Sequence, residues 1–185
     1  MLNFTRLDTF NNDWYKPGRS KIVVLLWYFI NVLFFINPLF PFSGFKIILL
    51  RIFGAKIGRG VLIKPAVNIK YPWLLTVCNH CWIGEKVWID NLAQVTIGNH
   101  VCISQGAMLL TGNHNYKLST FDLIIGQIIL EEGAWIGAKS VVCPGVKCAS
   151  HSVLTVGSIA TKDLEPYAIY QGNPAIKIKE RFISH

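Results

Sequence analysis

Residues 75–110 read LTVCNHCWIGEKVWIDNLAQVTIGNHVCISQGAMLL. Aliphatic residues recur here at every sixth position: Val77, Ile83 and Ile89, then Ile97, Ile103 and Leu109. The same spacing upstream gives Ile57, Ile63 and Ile69. Each series starts 20 residues after the one before, which is three hexads plus a two-residue insert, Leu75-Thr76 or Val95-Thr96. After a gap the register resumes at Leu130, Ile136, Val142, Cys148, Leu154 and Ala160. The next residue is often glycine, as at Gly58, Gly84, Gly98 and Gly137. A period of six fits neither an α-helix nor an isolated strand. Three hexads close one triangular coil of parallel strands, with the leading aliphatic pointing inward. Stacked coils then bury a continuous core that no single repeat could bury alone. The pattern predicts an all-β solenoid over residues 57–165, with a loop ejected at 110–129. Residues 1–56 form an arm before it and 166–185 a tail packing on the coils.

The chain has 185 residues, enough for one domain of ordinary size. Apolar residues make up 52% and charged residues 15%, which excludes disorder for most of the chain. The net charge of +8 is unevenly placed. Residues 1–84 hold ten Lys/Arg against Asp8 and Asp13, whereas residues 85–185 hold eight of each sign. That basic half is also the greasiest, which favours an anionic membrane surface over nucleic acid. Residues 22–36, IVVLLWYFINVLFFI, are too short to span a bilayer as a helix and stop at Asn37-Pro38. A second apolar stretch runs from Phe45 to Phe53. Two short helices are expected, packing on the protein itself, lying in a membrane interface, or both. Lys16, Arg19, Lys21, Lys46 and Arg51 flank or interrupt them. The opening MLNFTRLDTF carries no basic n-region, so a reducing cytoplasmic setting with free thiols is expected for the five cysteines.

The repeat resembles that of the hexapeptide-repeat acyltransferases, which fold as a left-handed parallel β-helix and usually work as trimers. FGAKIG (53–58), KPAVNIKYPWLLT (64–76), TIGNHVCISQ (96–105) and GNPAIKIKER (172–181) are similar to the colanic acid biosynthesis O-acetyltransferase subgroup. The resemblance implies an acetyl-CoA-dependent O-acetyltransferase acting on a sugar hydroxyl of an exopolysaccharide or its lipid-linked precursor. It also implies a homotrimer.

The only long break in the coils reads LLTGNHNYKLSTFDLIIGQII (109–129). A solenoid that ejects a loop from a continuous core usually does so for function. His114 sits at its start, where the family carries its catalytic histidine. A sugar hydroxyl is a poor nucleophile near neutral pH, and a neutral imidazole can take its proton as the oxygen attacks a thioester. The coenzyme is expected along a groove between subunits. By motif, Ala138 in WIGAKSVVCPGV matches the residue whose backbone faces the pantetheine arm. Val156, Thr161 and Lys162 in LTVGSIATKD match a backbone, a small polar and a basic contact, and Lys179 matches a basic residue near the nucleotide phosphates. Trp135 either walls this pocket or points outward as a repeat position. On the acceptor side, the family's Asn and Asp one coil below the histidine are replaced by Gly84 and Leu92. Asp90 and Asn91 are nearby substitutes, either binding sugar hydroxyls or shaping a corner turn.

Two other readings compete. One is a non-catalytic β-helix scaffold with a membrane-binding arm, disfavoured by His114 in the ejected loop and by Thr161-Lys162 beyond it. The other is a zinc enzyme of the γ-carbonic-anhydrase kind. His80 and His100 lie 20 residues apart and should stack on one corner, but the His-x4-His pair of that family is absent, so no metal is expected. Cys78-Asn79-His80-Cys81 has no second Cys-x2-Cys to complete a zinc ribbon, and the cysteines fit structural repeat slots. The setting implied is cytoplasmic, with peripheral contact at the inner face of the cytoplasmic membrane.

Overall fold

The leading aliphatics fall into three vertical columns. Ile57, Val77, Ile97, Leu130 and Cys148 pair in register down the first face. Ile63, Ile83, Ile103, Ile136 and Leu154 do so down the second. Ile69, Ile89, Leu109, Val142 and Ala160 line the third. Every one of them is buried. The protein, described over residues 4–184 by a computed structural model, is therefore a parallel β-helix with its core inside the prism. Residues 1–3 of the arm and His185 of the tail lie outside the described residues. A strand at Ala168–Gly172 continues the second face beyond Leu154 and turns back antiparallel as Ala175–Glu180, closing that end.

The six-residue period has a backbone cause. Three places after a leading aliphatic, the chain turns through a single left-handed residue. Ala66, His80, Lys86, His100, Lys139 and His151 do this with φ of 56–58°, and Gly60, Gly106, Gly133, Gly145 and Gly157 do it with φ of 66–83°. One such residue folds a strand onto the next face without a long connection. The glycine that follows some leading aliphatics answers a different need: a Cβ on Gly137 would lie 2.6 Å from the Leu154 carbonyl oxygen of the next coil. The third corner holds the two-residue inserts, and residues 111–127 leave the solenoid from there.

The arm caps the other end. Helix α1 (Lys21–Ile30) starts at Ser20, whose hydroxyl accepts from Val23 N–H, and continues as a π-helical turn over Asn31–Ile36. Pro38 then ends it. Helix α2 spans Ser43–Ile52. Trp27, Phe35 and Leu50 join the solenoid core, and the Trp27 indole donates to the Ile69 carbonyl at 2.8 Å. The Arg51 guanidinium donates to the carbonyls of Ile57 and Gly58, tying α2 to the first coil. One sequence expectation is corrected here. Lys46 does not flank the apolar face as a lipid-facing cation. It is fully buried, its ammonium donates to the Lys64 carbonyl at 2.9 Å, and burial holds its pKa below the ordinary lysine value. The opposite side of the helices, with Ile22, Leu26, Phe29 and Leu33, is exposed. Among the described residues no helix is long and apolar enough to cross a membrane.

If the inner side of the arm is core, Trp27→Ala should lower stability by about 3–5 kcal/mol, while Phe29→Ser should stay within about 0.5 kcal/mol. Urea unfolding followed by circular dichroism checks both. Equal losses would show that the arm packs differently.

Candidate active site

The ejected segment is a hairpin rather than a slack loop. Gly112–His114 pairs antiparallel with Leu123–Ile125, setting His114 opposite Leu123. Thr111 anchors its base: its backbone N–H and its hydroxyl both donate to the Asp90 carbonyl, and its hydroxyl accepts from Ala93 N–H. Gly112 lets the hairpin lie close on the coil below, since a Cβ there would sit 2.6 Å from Leu92 Cδ1.

His114 is half-buried and tightly placed. Its ring stacks on Phe121 with centroids 4.4 Å apart and planes 6° from parallel. Phe10, from the chain's first residues, meets the same ring at 5.5 Å and 60°. Nδ1 lies 2.8 Å from the Phe121 carbonyl oxygen. A carbonyl can only accept, so Nδ1 carries the hydrogen, and in the neutral ring Nε2 is left with its lone pair. Phe121 has φ of 53°, rarely populated by a bulky residue. Strain of this kind persists where the surroundings over-determine it, and here the same residue supplies both the stacking ring and the accepting carbonyl.

The other expected site residues fall in three places. Asp90 and Asn91 lie at the third corner below His114, and Thr161-Lys162 lies at that corner two coils above Leu109. Ala138 and Val156 stand one above the other at the corner between the second and third faces, next to the paired Ile136 and Leu154. The Ala138 carbonyl accepts from Gly157 N–H at 2.9 Å. Lys179 is on the closing strand outside the second face, opposite Ile169. Within one chain, then, His114 and the Ala138–Val156 corner are on different edges of the prism. Trp135 points outward and donates its indole N–H to Ser104 Oγ at 2.9 Å.

Asp90 pairs with Lys70 at 2.9 Å. The pair lies on a cleft of about 280 Å³ that also has Tyr28, Tyr71 and Trp88 in its walls. Asn91 departs from the substrate-binding expectation. It is fully buried; its amide donates to the carbonyls of Tyr71 and Leu74 and accepts from Tyr71 N–H. Its polar atoms are spent on the turn of the coil below, so it shapes the corner and presents nothing to a sugar.

His80 and His100 stack at 5.3 Å with planes 12° apart. They turn π-faces, not nitrogen lone pairs, toward each other. Among the described residues no three His, Cys, Asp or Glu side chains gather as metal ligands. All five cysteines are free. Burial raises the pKa of Cys81, Cys102 and Cys143, and pushes Cys148 up to about 12. None of these four is an activated thiolate. No sequence signal marks Phe121 or Phe10, since neither occupies a motif position.

No family model matches the chain. It is 36% identical over 164 residues to WcaF of Escherichia coli K12, a protein named for acetyl transfer in colanic acid biosynthesis; the match covers 89% of this chain and 90% of that one. The galactoside O-acetyltransferase of the same organism is 28% identical over 68% of this chain and 64% of its own. In fold, a hexapeptide-repeat acetyltransferase from Vibrio cholerae, solved with acetyl-CoA, superposes with a TM-score of 0.80 at 20% identity, over 91% of this chain and 93% of that one. Coil register, ejected hairpin and sequence similarity agree: the chain belongs to the hexapeptide-repeat acetyltransferase family of WcaF.

Proposed function

We propose that this protein transfers the acetyl group of acetyl-CoA to a sugar hydroxyl during exopolysaccharide synthesis. The observation that carries this reading is the His114 ring, fixed by the Phe121 carbonyl with Nε2 free to accept a proton. Nε2 takes the proton of the acceptor hydroxyl as its oxygen attacks the thioester carbonyl. The imidazolium then returns that proton to the departing thiolate of coenzyme A, so the histidine ends as it began.

The coenzyme lies between two copies in this reading. His114 and Thr161-Lys162 on one edge and Ala138 and Val156 on another serve one ligand only if the edges of two different copies meet. That requirement supports a homotrimer, as does the outward ladder of Leu62, Trp82, Cys102 and Trp135 on the second face. The phosphates fall to Lys162 and Lys179. Among the described residues neither is in an ion pair, whereas neighbouring Lys177 is held by Glu165 and Glu180 at 2.7 Å each. The sugar acceptor, free or lipid-linked, takes the Asp90 side of the third corner, beneath the hairpin base.

The arm adds a location. Its outer side exposes Ile22, Leu39, Phe42 and Ile52, and Lys16 and Arg19 just before α1 and Lys21 at its first position are exposed too. Apolar burial and about 1 kcal/mol for each cation near anionic lipid support peripheral attachment to the cytoplasmic face of the inner membrane.

A thiol-release assay with acetyl-CoA and a panel of sugar nucleotides and exopolysaccharide fragments tests the reaction. His114→Ala should cut turnover by about 10²–10⁴-fold while leaving coenzyme binding and the unfolding midpoint nearly unchanged. Full turnover in that variant would remove the assignment.

Flotation with phosphatidylglycerol vesicles tests the location. The intact protein should float at low salt, and Leu39→Asp with Phe42→Asp should leave it at the bottom of the gradient. An intact protein that stays down at low salt would mean the arm's outer side meets protein instead.

A further inference from the structure

The segment before α1 is spread over the solenoid at three points. The Trp73 indole of the first coil donates to the Pro17 carbonyl. The Tyr15 hydroxyl donates to the Leu92 carbonyl at 2.9 Å, directly beneath the hairpin base. Arg6 N–H donates to the Ser119 carbonyl at 2.7 Å, at the hairpin tip. Between the last two attachments, Phe10 reaches the His114 ring. None of these contacts serves the capping of the coil end, which α1, the π-helical turn after it and α2 accomplish through Trp27, Phe35 and Leu50.

The hairpin needs such support. It stands outside the column of stacked aliphatics, and its two strands hold each other through only three residue pairs. The bond from Nδ1 to the Phe121 carbonyl fixes one ring nitrogen, and the stack on Phe121 fixes the ring plane. Both restraints come from the hairpin itself. They tie the histidine to Phe121 alone, and neither opposes a movement of the hairpin, with its histidine, as a unit. Phe10 is the one aromatic contact to His114 from outside the hairpin among the described residues. The Arg6–Ser119 bond holds the hairpin tip to the same strap.

We infer that residues 4–17 form a strap that positions the catalytic base, with Phe10 as the positioning residue that confines the His114 ring against Phe121. The inference rests on the reading of His114 as the base. The strap thus joins the arm to the chemistry: the stretch leading into a membrane-facing helix also braces the active-site hairpin.

The test compares Phe10→Ala, Phe10→Leu and His114→Ala in the intact protein. Misplacing a catalytic group by about 1 Å costs up to about 10²-fold in rate. Phe10→Ala should therefore lower kcat by about 10–100-fold with the KM for acetyl-CoA unchanged, and Phe10→Leu should restore most of it by refilling the space. Nitrogen-15 NMR of the histidine side chains should show His114 as a single Nδ1–H tautomer in the wild type and as a tautomer mixture in Phe10→Ala. If Phe10→Ala lowers only the unfolding midpoint, with kcat and tautomer as in the wild type, the strap is a packing element and the inference falls. If His114→Ala is fully active, the reading of the base falls instead, so the two failures are distinguishable.

Discussion

Everything in this molecule depends on the in-register stacking of one aliphatic every six residues. Parallel coils sit about 4.8 Å apart, so an inward Ile or Val touches its counterparts above and below, and side-chain contact and backbone hydrogen bonding fix the same register. A one-residue slip would turn every leading aliphatic outward. The stack also carries across the interruption. Leu130 pairs with Ile97 and Val142 with Leu109, as though residues 111–127 were not there. An excursion that leaves the register untouched can vary in sequence and shape without loss of the core. That is what lets a rigid prism carry chemistry on its outside.

A solenoid has two open ends, and here they are closed differently. One receives two helices whose inner side completes the core; the other folds its last strand back on itself. The helical end leaves apolar surface on its outside, and the buried Lys46 shows how closely its inside fits. Its ammonium donates to a backbone carbonyl of the second face and lies over the Phe35 ring, 5.9 Å from the centroid.

The coils were legible in the sequence because their determinants are periodic. Fifteen leading positions and the two-residue inserts follow from the spacing of residues such as Ile63, Ile83 and Ile103, whereas the left-handed corners, held mostly by ordinary residues such as Ala66 and Lys86, show only in the backbone. The break that holds His114 was legible as a gap in that spacing. What escaped were contacts between residues far apart in the chain. Phe10 meets His114 across more than a hundred residues, and the Tyr15 hydroxyl finds Leu92 across 77. The accepting carbonyl of Phe121 is backbone, which any residue supplies, so composition could not reveal it. Asn91 and Lys46 look like surface groups in one dimension; each is buried because a backbone carbonyl of another segment receives it.

The reading of the chemistry joins two edges of the prism through two copies of the chain. A crystal structure with coenzyme A bears on it most directly. The expected result is a thiol sulfur within about 4 Å of His114 Nε2, with the pantetheine arm running along the Ala138–Val156 corner of a neighbouring copy. A coenzyme bound wholly within one copy, with its sulfur far from His114, would contradict it.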